Sequence, residues 1–553
     1  MSRVARRSVL ELNFKADEEY ENPFIDVVLD CRFQSPSGKE YMAPGFFDGQ
    51  NIWRVRFSPD ETGLWSYETI TNAMDSSLQS ADMFEVVEPD RAVRGFLKTC
   101  PGKHWGLEYE SGEPCFILGD TMYNLFGVAY CGLDVEKVLK RRAQQGFNMI
   151  RARLQVSPYH PPQGYSDWQT RPTWRWGGSP QKPRFDQFNL EYFQVVDNVM
   201  RLAADLGIGF EMIMEAWGFE YPFNQRDVFI PEYEELWMRY LIARYDAFTS
   251  VYVWTLMNEY EYYPDGDWRY NPEADLWAIR TGEYVKRTAP HGHPVAVHNG
   301  PRHPPFARRF RRAPRVIDLI MFQTWGTTGE RDSWLAAGIE DDITSSLKGW
   351  KGAFIFAEYG YERNLEFELR IPGHKHMNTE HTRRGAWRGT FCGTGVIHGF
   401  ENTWGPWWMP DEDQEGMKYL LILKDFFMSI VEFHRFKPEP AIVDQSVQYE
   451  PGTKPLCLAT QEKDAFLVYL PVGGSALLNL PRELGLAGSW FDPRTGRMKE
   501  ALGTAEEEKR RFKAPDKGDW VLILGRKRLA IGDHEEAARD IPECVTGLLG
   551  PED

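Results

Sequence analysis

The chain has 553 residues, too many for one ordinary domain, and 42% of them are apolar, which is enough to fill several cores. The net charge of −17 argues against nucleic acid as the main ligand, because phosphate binding requires clustered Lys and Arg. The seven cysteines are scattered and show no CxxC spacing, so neither a disulfide framework nor a zinc site is expected.

The N-terminal residues give no signal for secretion or membrane insertion. Arg3, Arg6 and Arg7 are not followed by the apolar segment of a signal peptide. No stretch is long and apolar enough to span a bilayer. We therefore expect a cytoplasmic protein without a membrane partner, although a secreted chain that had lost its signal would have the same sequence.

Residues 1–95 predict a small β-sandwich. Apolar runs such as Phe24–Leu29 and Ile52–Phe57 alternate with turn clusters such as Ser35–Gly38 and Ser58–Gly63. Short strands at this spacing, separated by Gly, Pro and Asp, are typical of sandwich domains.

Residues 96–440 predict a second domain in which strands and helices alternate. A helix is expected from Asp134 to Gln145, where Gly146 stops it, and another from Phe188 to Leu206. The eight strand candidates are 116–120, 147–151, 208–214, 252–257, 295–297, 317–322, 353–357 and 395–400. This alternation favours a (β/α)8 TIM barrel. An open doubly wound sheet is the alternative, disfavoured because no Gly-rich phosphate loop follows the first strand.

Residues 441–530 return to short strands and predict a C-terminal β-sandwich. Runs such as Leu456–Ala459 and Ala465–Leu470 are followed by the turn signal Asp492–Gly496. The tail at 531–553 is acidic and predicts either a short docked helix or a frayed end.

Two glutamates end apolar runs of the predicted barrel. Glu259 closes the segment Tyr252–Glu259, and Glu358 closes the strand candidate of residues 353–357. An ionised Glu is costly to bury without a partner, and barrel enzymes carry their catalytic groups at the carboxyl ends of strands. We interpret the two residues as a paired-carboxylate site of the kind that glycosidic bond cleavage requires. A structural ion pair or an exposed loop acid is the alternative.

The order Asn258-Glu259 on strand four and Glu358-Tyr359-Gly360 on strand seven resembles the clan A glycoside hydrolases. The resemblance implies that Glu259 is the acid/base, that Glu358 is the nucleophile and that Asn258 contacts the sugar 2-hydroxyl. A retaining mechanism then places the two carboxyl groups ~5 Å apart. No metal or organic cofactor is implied.

Further candidates for substrate binding follow from the same strand ends. Arg151 ends strand two, as does an Arg of the clan that hydrogen-bonds the nucleophile; Arg153 competes for this role. Trp404 and Trp407 follow strand eight, where the clan has a sugar-platform Trp; a packed aromatic loop is the alternative.

Asp120, with Tyr123 and Asn124, follows strand one and is a candidate for holding a non-reducing sugar end. A capping role is the alternative for Asp120.

The chain departs from the clan at two strand ends. Glu215, with Trp217 nearby, stands after strand three, where many members have a His. Gln323 and Trp325 stand near the end of strand six, where many have a His or Tyr; an indole N–H can only donate. These departures leave the sugar undetermined.

The flanking segments resemble a whole architecture. The segment Asp48–Tyr67 is similar to an Ig-like domain of unknown function, and Phe116–Thr121 resembles the opening of the apiosidase-like barrel family. The segment Trp490–Gly496 resembles a small C-terminal sandwich to which collagen binding is ascribed. The resemblance implies a glycosidase and leaves its substrate open.

We therefore predict a retaining, exo-acting glycoside hydrolase with a carbohydrate substrate and no nucleic-acid partner. A carbohydrate-binding protein on an inactive barrel, a structural or adhesion protein, and a transglycosylase with the same residues are the alternatives. The large domain faces also suggest a homo-oligomer.

Overall fold

The computed structural model describes residues 2–101, 105–155, 173–267, 269–300, 304–326, 336–362, 377–400, 413–481, 487–506 and 509–525.

Seven strands of the described N-terminal residues form one sheet around an aromatic core. Their bounds are Ser2–Ala5, Leu10–Lys15, Leu29–Gln34, Glu40–Phe47, Ile52–Phe57, Gly63–Thr71 and Ala81–Val87. The strand Glu40–Phe47 pairs with Leu29–Gln34 through its first half and with Ile52–Phe57 through its second. Both halves of the sheet contribute to one core, in which Trp53 and Trp65 are fully buried. Two halves of a sheet that pack on one core confirm the predicted sandwich.

The predicted strand at Phe24–Leu29 is wrong, because the strand begins only at Leu29. The amides of residues 25 and 26 both donate to the carbonyl of Asn22 and form a turn. Phe24 packs edge-to-face against Phe188 and Tyr240 of the next domain, with ring centroids 5.5 and 6.0 Å away. The apolar run therefore serves a domain contact rather than a strand.

Eight strands form a closed parallel barrel, which confirms the TIM-barrel prediction and excludes the open sheet. Their bounds are Leu118–Thr121, Met149–Arg153, Gly209–Glu215, Val251–Met257, Val295–His298, Leu319–Gln323, Ala353–Glu358 and Val396–Phe400. They are hydrogen-bonded in chain order, and the first also pairs with the eighth. The short strand Tyr361–Glu362 pairs in parallel with the eighth.

Helices follow most of these strands. The α-helical bounds are Leu125–Tyr130, Val135–Gln145, Leu190–Leu206, Pro231–Tyr245, Pro272–Thr288, Phe306–Arg309, Ile339–Ser346, Thr379–Thr390 and Met417–Asp425. Asp134 caps its helix by accepting from the amide of Lys137, and Gly146 ends it at φ 84°. Among the described residues, no helix is long and apolar enough to cross a membrane.

The described C-terminal residues form two facing sheets, which confirms the second sandwich. The strand bounds are Phe436–Pro438, Leu456–Thr460, Ala465–Leu470, Ser475–Leu478, Ala487–Phe491, Met498–Leu502, Thr504–Glu506, Lys509–Lys513 and Trp520–Gly525. Trp520, Phe466 and Phe512 lie in the core between them. Two small hairpins complete the described strands, with bounds Leu97–Thr99, Leu107–Tyr109, Trp176–Ser179 and Lys182–Phe188.

Candidate active site

The two predicted catalytic glutamates occupy the carboxyl ends of the fourth and seventh barrel strands. Asn258 and Glu259 directly follow the strand Val251–Met257, and Glu358 is the last residue of Ala353–Glu358. Glu358 is buried, with 7% of its surface exposed, and Glu259 is half-buried. Functional groups of this fold lie at the carboxyl ends of the strands, and each of the two glutamates occupies such an end.

The backbone at Glu259 adopts a left-handed conformation that only glycine adopts freely. Its φ and ψ are 49° and 57°, and its amide donates to Nδ1 of His298 at 3.4 Å. Such a conformation costs ~1–3 kcal/mol in a residue with a side chain and is concentrated at functional sites. The strained turn directs the chain after the fourth strand into the 3₁₀ turn Tyr260–Tyr262.

His298 ends the fifth strand and is a site residue that the sequence reasoning missed. It is fully buried, and burial together with the charge of Arg151 lowers its pKa well below the usual value. The imidazole is therefore neutral at physiological pH, and Nδ1 can accept the amide hydrogen of Glu259. Its position directly after the apolar run of residues 295–297 was the available signal.

Arg151 connects the second, third and fourth strands at this end of the barrel. Its Nη2 donates to Oδ1 of Asn258, and Nη1 reaches the carbonyl of Ala357 at 3.5 Å. Its Nε lies 3.2 Å from Oε2 of Glu211, and both side chains are fully buried. The guanidinium thus fixes the Asn258 amide and contacts the backbone just before Glu358.

Glu211 is the second residue that the sequence reasoning missed. It faces the barrel interior from the third strand and accepts a hydrogen bond from Thr255 Oγ1 at 2.8 Å. A single acid within an apolar run was the available signal. Its carboxylate compensates the buried positive charge of Arg151, because burying a guanidinium without a partner would cost stability.

Asp120 is occupied by a partner within the protein. Its Oδ2 accepts from Nε of Arg142 at 2.7 Å, and both side chains are buried. This ion pair ties the helix Val135–Gln145 to the first strand. The neighbouring Tyr123 lies beneath both Arg151 and Arg153, whose guanidinium carbons are 5.0 and 4.7 Å from its ring centroid.

Glu215 ends the third strand and is held by Arg226. The Nη2 of Arg226 donates to Oε2 of Glu215 at 2.7 Å, and its Nη1 donates to Glu234 at 2.7 Å. Burial, against the opposing charge of Arg226 and with a contribution from the nearby Glu234 carboxylate, raises the pKa of Glu215 to about 8. The carbonyl of Glu215 accepts the amide hydrogen of Asn258 at 3.3 Å, which orients the chain before Glu259.

Gln323 and Trp325 lie at and just after the end of the sixth strand. The side chain of Asn299 pairs with the backbone of Gln323, accepting from its amide at 2.8 Å and donating to its carbonyl at 3.0 Å. Trp325 packs edge-to-face on Tyr361, with ring centroids 5.9 Å apart. The reciprocal Asn299 pairing fixes the strand end that carries both residues.

Trp404 and Trp407 lie outside the residues that the structure describes. Within the described part of the chain, no group of three or more His, Cys, Asp and Glu side chains is arranged to hold a metal ion.

Three family models match consecutive parts of the chain. The model described as "Apiosidase-like, catalytic domain" matches residues 103–429, which is more than half of the chain. A "Domain of unknown function" matches residues 3–72, and a "Putative collagen-binding domain of a collagenase" matches residues 441–525. The resemblance predicted from the sequence is thereby confirmed.

Solved structures of similar fold carry glycoside hydrolase names. A putative glycoside hydrolase from Bacteroides vulgatus is 18% identical, covers 95% of this chain and 100% of its own, and superposes with a TM-score of 0.69. A family 5 glycoside hydrolase from the same organism is 15% identical, with coverages of 82% and 97% and a TM-score of 0.59. A comparison with curated proteins found no match.

Proposed function

Since the chain belongs to the apiosidase-like family of glycoside hydrolases, we propose that it is a retaining, exo-acting glycosidase. Its substrate is a small glycoside or the non-reducing end of an oligosaccharide. The observation that supports this function best is the placement of Glu259 and Glu358 at the carboxyl ends of the fourth and seventh strands.

In this proposal Glu358 is the nucleophile and Glu259 is the acid/base. The Glu358 carboxylate attacks the anomeric carbon while Glu259 protonates the leaving oxygen, so that a covalent glycosyl-enzyme forms. Glu259 then takes a proton from water, which attacks the same carbon and releases the sugar with its configuration retained. The left-handed backbone at Glu259 supports this role, since such strain is tolerated where a side chain must be directed to a reacting group.

Asn258 and Arg151 orient the substrate and the backbone around these carboxylates. The hydrogen bond from Arg151 fixes which end of the Asn258 amide is the acceptor, so that its NH₂ group is oriented to donate. Within the described residues, Nδ2 of Asn258 has no hydrogen-bond partner, although it is buried. A sugar hydroxyl would satisfy this donor, as expected for a group that contacts the 2-hydroxyl.

The test is release of nitrophenol from aryl pyranosides and furanosides of both anomers, with wild type beside Glu358→Ala and Glu259→Ala. We expect turnover of one glycoside that is lost in Glu358→Ala and restored by azide as a glycosyl azide of inverted configuration. Folded wild-type protein that turns over no member of the panel would contradict the proposal for simple glycosides.

Product analysis tests the exo-acting and hydrolytic modes. An exo-acting enzyme releases a monosaccharide from a labelled oligosaccharide at the first time point, whereas an endo-acting enzyme releases mixed lengths. Products longer than the starting oligosaccharide would identify a transglycosylase instead.

A further inference from the structure

The turn that follows the proposed acid/base is held by side chains that the mechanism above does not use. Tyr260 and Glu261 are the two residues directly after Glu259, and both are buried. A carboxylate with so little contact to water is costly to bury unless other groups compensate its charge. The partners of Glu261 therefore show what this turn is attached to.

These partners lie after the fifth strand and in the helix Phe306–Arg309. Oε1 of Glu261 accepts from Nη1 of Arg309 at 2.9 Å, and Oε2 accepts from the amide of Gly300 at 2.7 Å. Both side chains of the ion pair are buried, so water and salt screen it little. The pair joins the turn after the fourth strand to a helix 48 residues further along the chain.

Tyr260 is attached to the same arginine. Its hydroxyl donates to Oδ1 of Asp275 at 2.7 Å, and the guanidinium carbon of Arg309 lies 4.7 Å from its ring centroid. Nε of Arg309 donates to the same Oδ1 at 3.0 Å, and the hydroxyl of Tyr270 donates to Oδ2 of Asp275 at 2.6 Å. One guanidinium thus contacts both residues that follow Glu259.

Arg309 keeps its positive charge in this buried position. Although burial acts to lower its pKa, Tyr260 and the carboxylates of Glu261 and Asp275 raise the pKa above the usual value. The planar fork of a guanidinium can bond two carboxylates at once in a fixed geometry, whereas a lysine ammonium is a compact point charge on a flexible stem. Arg309 therefore bridges Glu261 and Asp275 in one defined arrangement.

The segment 298–300, which Glu261 contacts, also lies against Glu259 itself. Nδ1 of His298 accepts from the amide of Glu259 at 3.4 Å. A methyl group placed on Gly300 would lie 3.5 Å from Cβ of Glu259 and 3.9 Å from its Cγ. The hydrogen bond between Gly300 and Glu261 therefore sets how closely this segment approaches the acid/base side chain.

The left-handed backbone at Glu259 depends on contacts of this kind. A residue with a side chain keeps such a conformation only where the surrounding structure determines it. Arg151 holds the preceding residue, Asn258, and Arg309 holds the following pair of Tyr260 and Glu261. The direction of the Glu259 side chain is consequently set from both sides along the chain.

Resting on the glycosidase function proposed above, we propose that Glu261 and Arg309 are positioning residues that hold the acid/base Glu259 in line with the leaving oxygen. Neither residue contacts the sugar in this proposal, because each acts through the turn and Gly300. A displacement of a catalytic group by ~1 Å can cost about 100-fold in rate. Loosening the pair should thus impair proton transfer by Glu259 and spare the attack by Glu358.

The experiment compares two aryl glycosides that differ in how much their leaving groups need an acid. The sugar is the one that wild type turns over in the nitrophenol panel, and the aglycones are phenol and 2,4-dinitrophenol. Dinitrophenolate leaves without protonation, so only the phenyl glycoside depends on the acid. For Glu261→Gln and Arg309→Lys we expect kcat/KM to fall about 10- to 100-fold on the phenyl glycoside and less than about threefold on the dinitrophenyl glycoside.

Two further measurements separate positioning from a structural role. Azide should raise kcat of both variants on the dinitrophenyl glycoside, because it replaces the water that a displaced Glu259 no longer activates. Arg244→Gln is the matched control, since it removes a buried arginine that donates to Asp197 at 2.9 Å from the helix Pro231–Tyr245. It should lower the melting temperature and leave the ratio of the two kcat/KM values at the wild-type level.

The outcomes distinguish this role from the glycosidase function itself. With an active wild type, a fall of equal size on both glycosides, unchanged kcat/KM on both, or no effect of azide overturns the positioning role. Arg309→Lys keeps the positive charge and gives the answer even if Glu261→Gln does not fold. A folded wild type that turns over neither glycoside would overturn the proposed function, and the role of the pair with it.

Discussion

Two buried arginine clusters in the N-terminal sheet and the barrel differ in how completely carboxylates compensate their positive charges. The junction cluster joins the N-terminal sheet to the barrel helices and consists of Arg56, Arg244, Asp197 and Asp48. Asp197 accepts from Arg56 at 2.5 Å and from Arg244 at 2.9 Å, and Asp48 accepts from Arg244 at 2.8 Å. Glu11 also accepts from Nε of Arg56 at 2.8 Å, so each of the two cations contacts two carboxylates at short distances.

The site-end cluster consists of Arg153, Arg175 and Glu220, and its contacts are long where those of the junction cluster are short. Its carboxylate contacts are 3.4 Å or longer, and two cations share one acid. The pKa shifts of the acids in the two clusters also have opposite directions. Burial acts to raise the pKa of Asp197, but Arg244 and Arg56 hold it below the usual value, whereas burial prevails at Glu220. The saturated network of the junction cluster stabilises the fold, whereas the long contacts of the site-end cluster leave its charges less completely compensated.

The largest expected effect separates activity from stability at the carboxyl ends of the strands. Glu358→Gln and Glu259→Gln should each lower kcat by ~10³-fold or more, because each removes a group that, in the proposed mechanism, bonds to the sugar or transfers a proton. The free energy of unfolding should change by less than about 1 kcal/mol, since glutamine preserves the size and shape of the side chain. Steady-state kinetics and urea titrations of the same preparations measure both. A glutamate variant that loses as much stability as a junction-cluster variant would show that this glutamate has a structural role.

The second-largest effect is expected at the junction cluster, where a substitution should lower stability and leave kcat unchanged. Asp197→Asn should lower the free energy of unfolding by about 3–5 kcal/mol, because Arg56 and Arg244 would remain buried without their shared anion. The kcat of the folded fraction should not change. Asp205→Asn, an exposed position on the same helix, is the control and should change stability by less than about 0.5 kcal/mol. Equal stability of the two variants would contradict the structural role of the cluster.

Elements defined by local patterns could be predicted from the sequence. The eight barrel strands were predicted because each is a short apolar run and helical patterns follow most of them, such as Val135–Gln145 with its capping residue Asp134. The same patterns placed Glu259 and Glu358 at strand ends. These features depend on neighbours within a few positions, which a sequence displays directly.

The partners of the site residues could not be predicted, since they come from distant parts of the chain. Arg151 meets Asn258 over a separation of 107 residues, and Asp120 is taken by Arg142 from another element. His298 and Glu211 were missed for the same reason. An isolated His or Glu in an apolar run does not indicate which side chain it will face once the barrel closes. Nor does the sequence show that Arg175 has no carboxylate partner among the residues that the structure describes.

A third prediction uses pH to compare the two ends of the barrel. The folded-state pKa of Glu215 is about 8, above its ordinary value of 4.5, so folding takes up a proton between these values. The stability that this protonation supplies is fully present below pH 4.5 and is lost as pH rises to about 8, by up to ~1.4 kcal/mol per pH unit. When the free energy of unfolding from urea titrations is plotted against pH from 5 to 8, it should therefore fall less steeply for Glu215→Gln than for wild type.

Asp246, just before the fourth strand, should give the opposite sign. Although burial acts to raise its pKa, His293 and His291 hold it at about 2, below the ordinary 3.8. Its contribution is present above pH 3.8 and is lost as pH falls toward 2. Asp246→Asn should consequently change the acid limb of the stability profile and leave the neutral limb alone. The same limb responding to both substitutions would remove the contrast between the two ends.

The smallest expected effect tests whether the backbone at the proposed acid/base is strained. At φ 49°, Glu259→Gly should be more stable than Glu259→Ala by about 1 kcal/mol, because glycine enters the left-handed region without steric cost. Asn51, at φ 57° in a turn of the N-terminal sheet, calibrates the comparison through Asn51→Gly and Asn51→Ala. A similar gap at both positions would show that the cost at Glu259 is purely conformational. If Glu259→Ala proved as stable as Glu259→Gly while the gap persisted at Asn51, the turn after the fourth strand would store no strain. Directing Glu259 toward the reacting sugar would then depend on the His298, Arg151–Asn258 and Arg309–Glu261 hydrogen bonds alone.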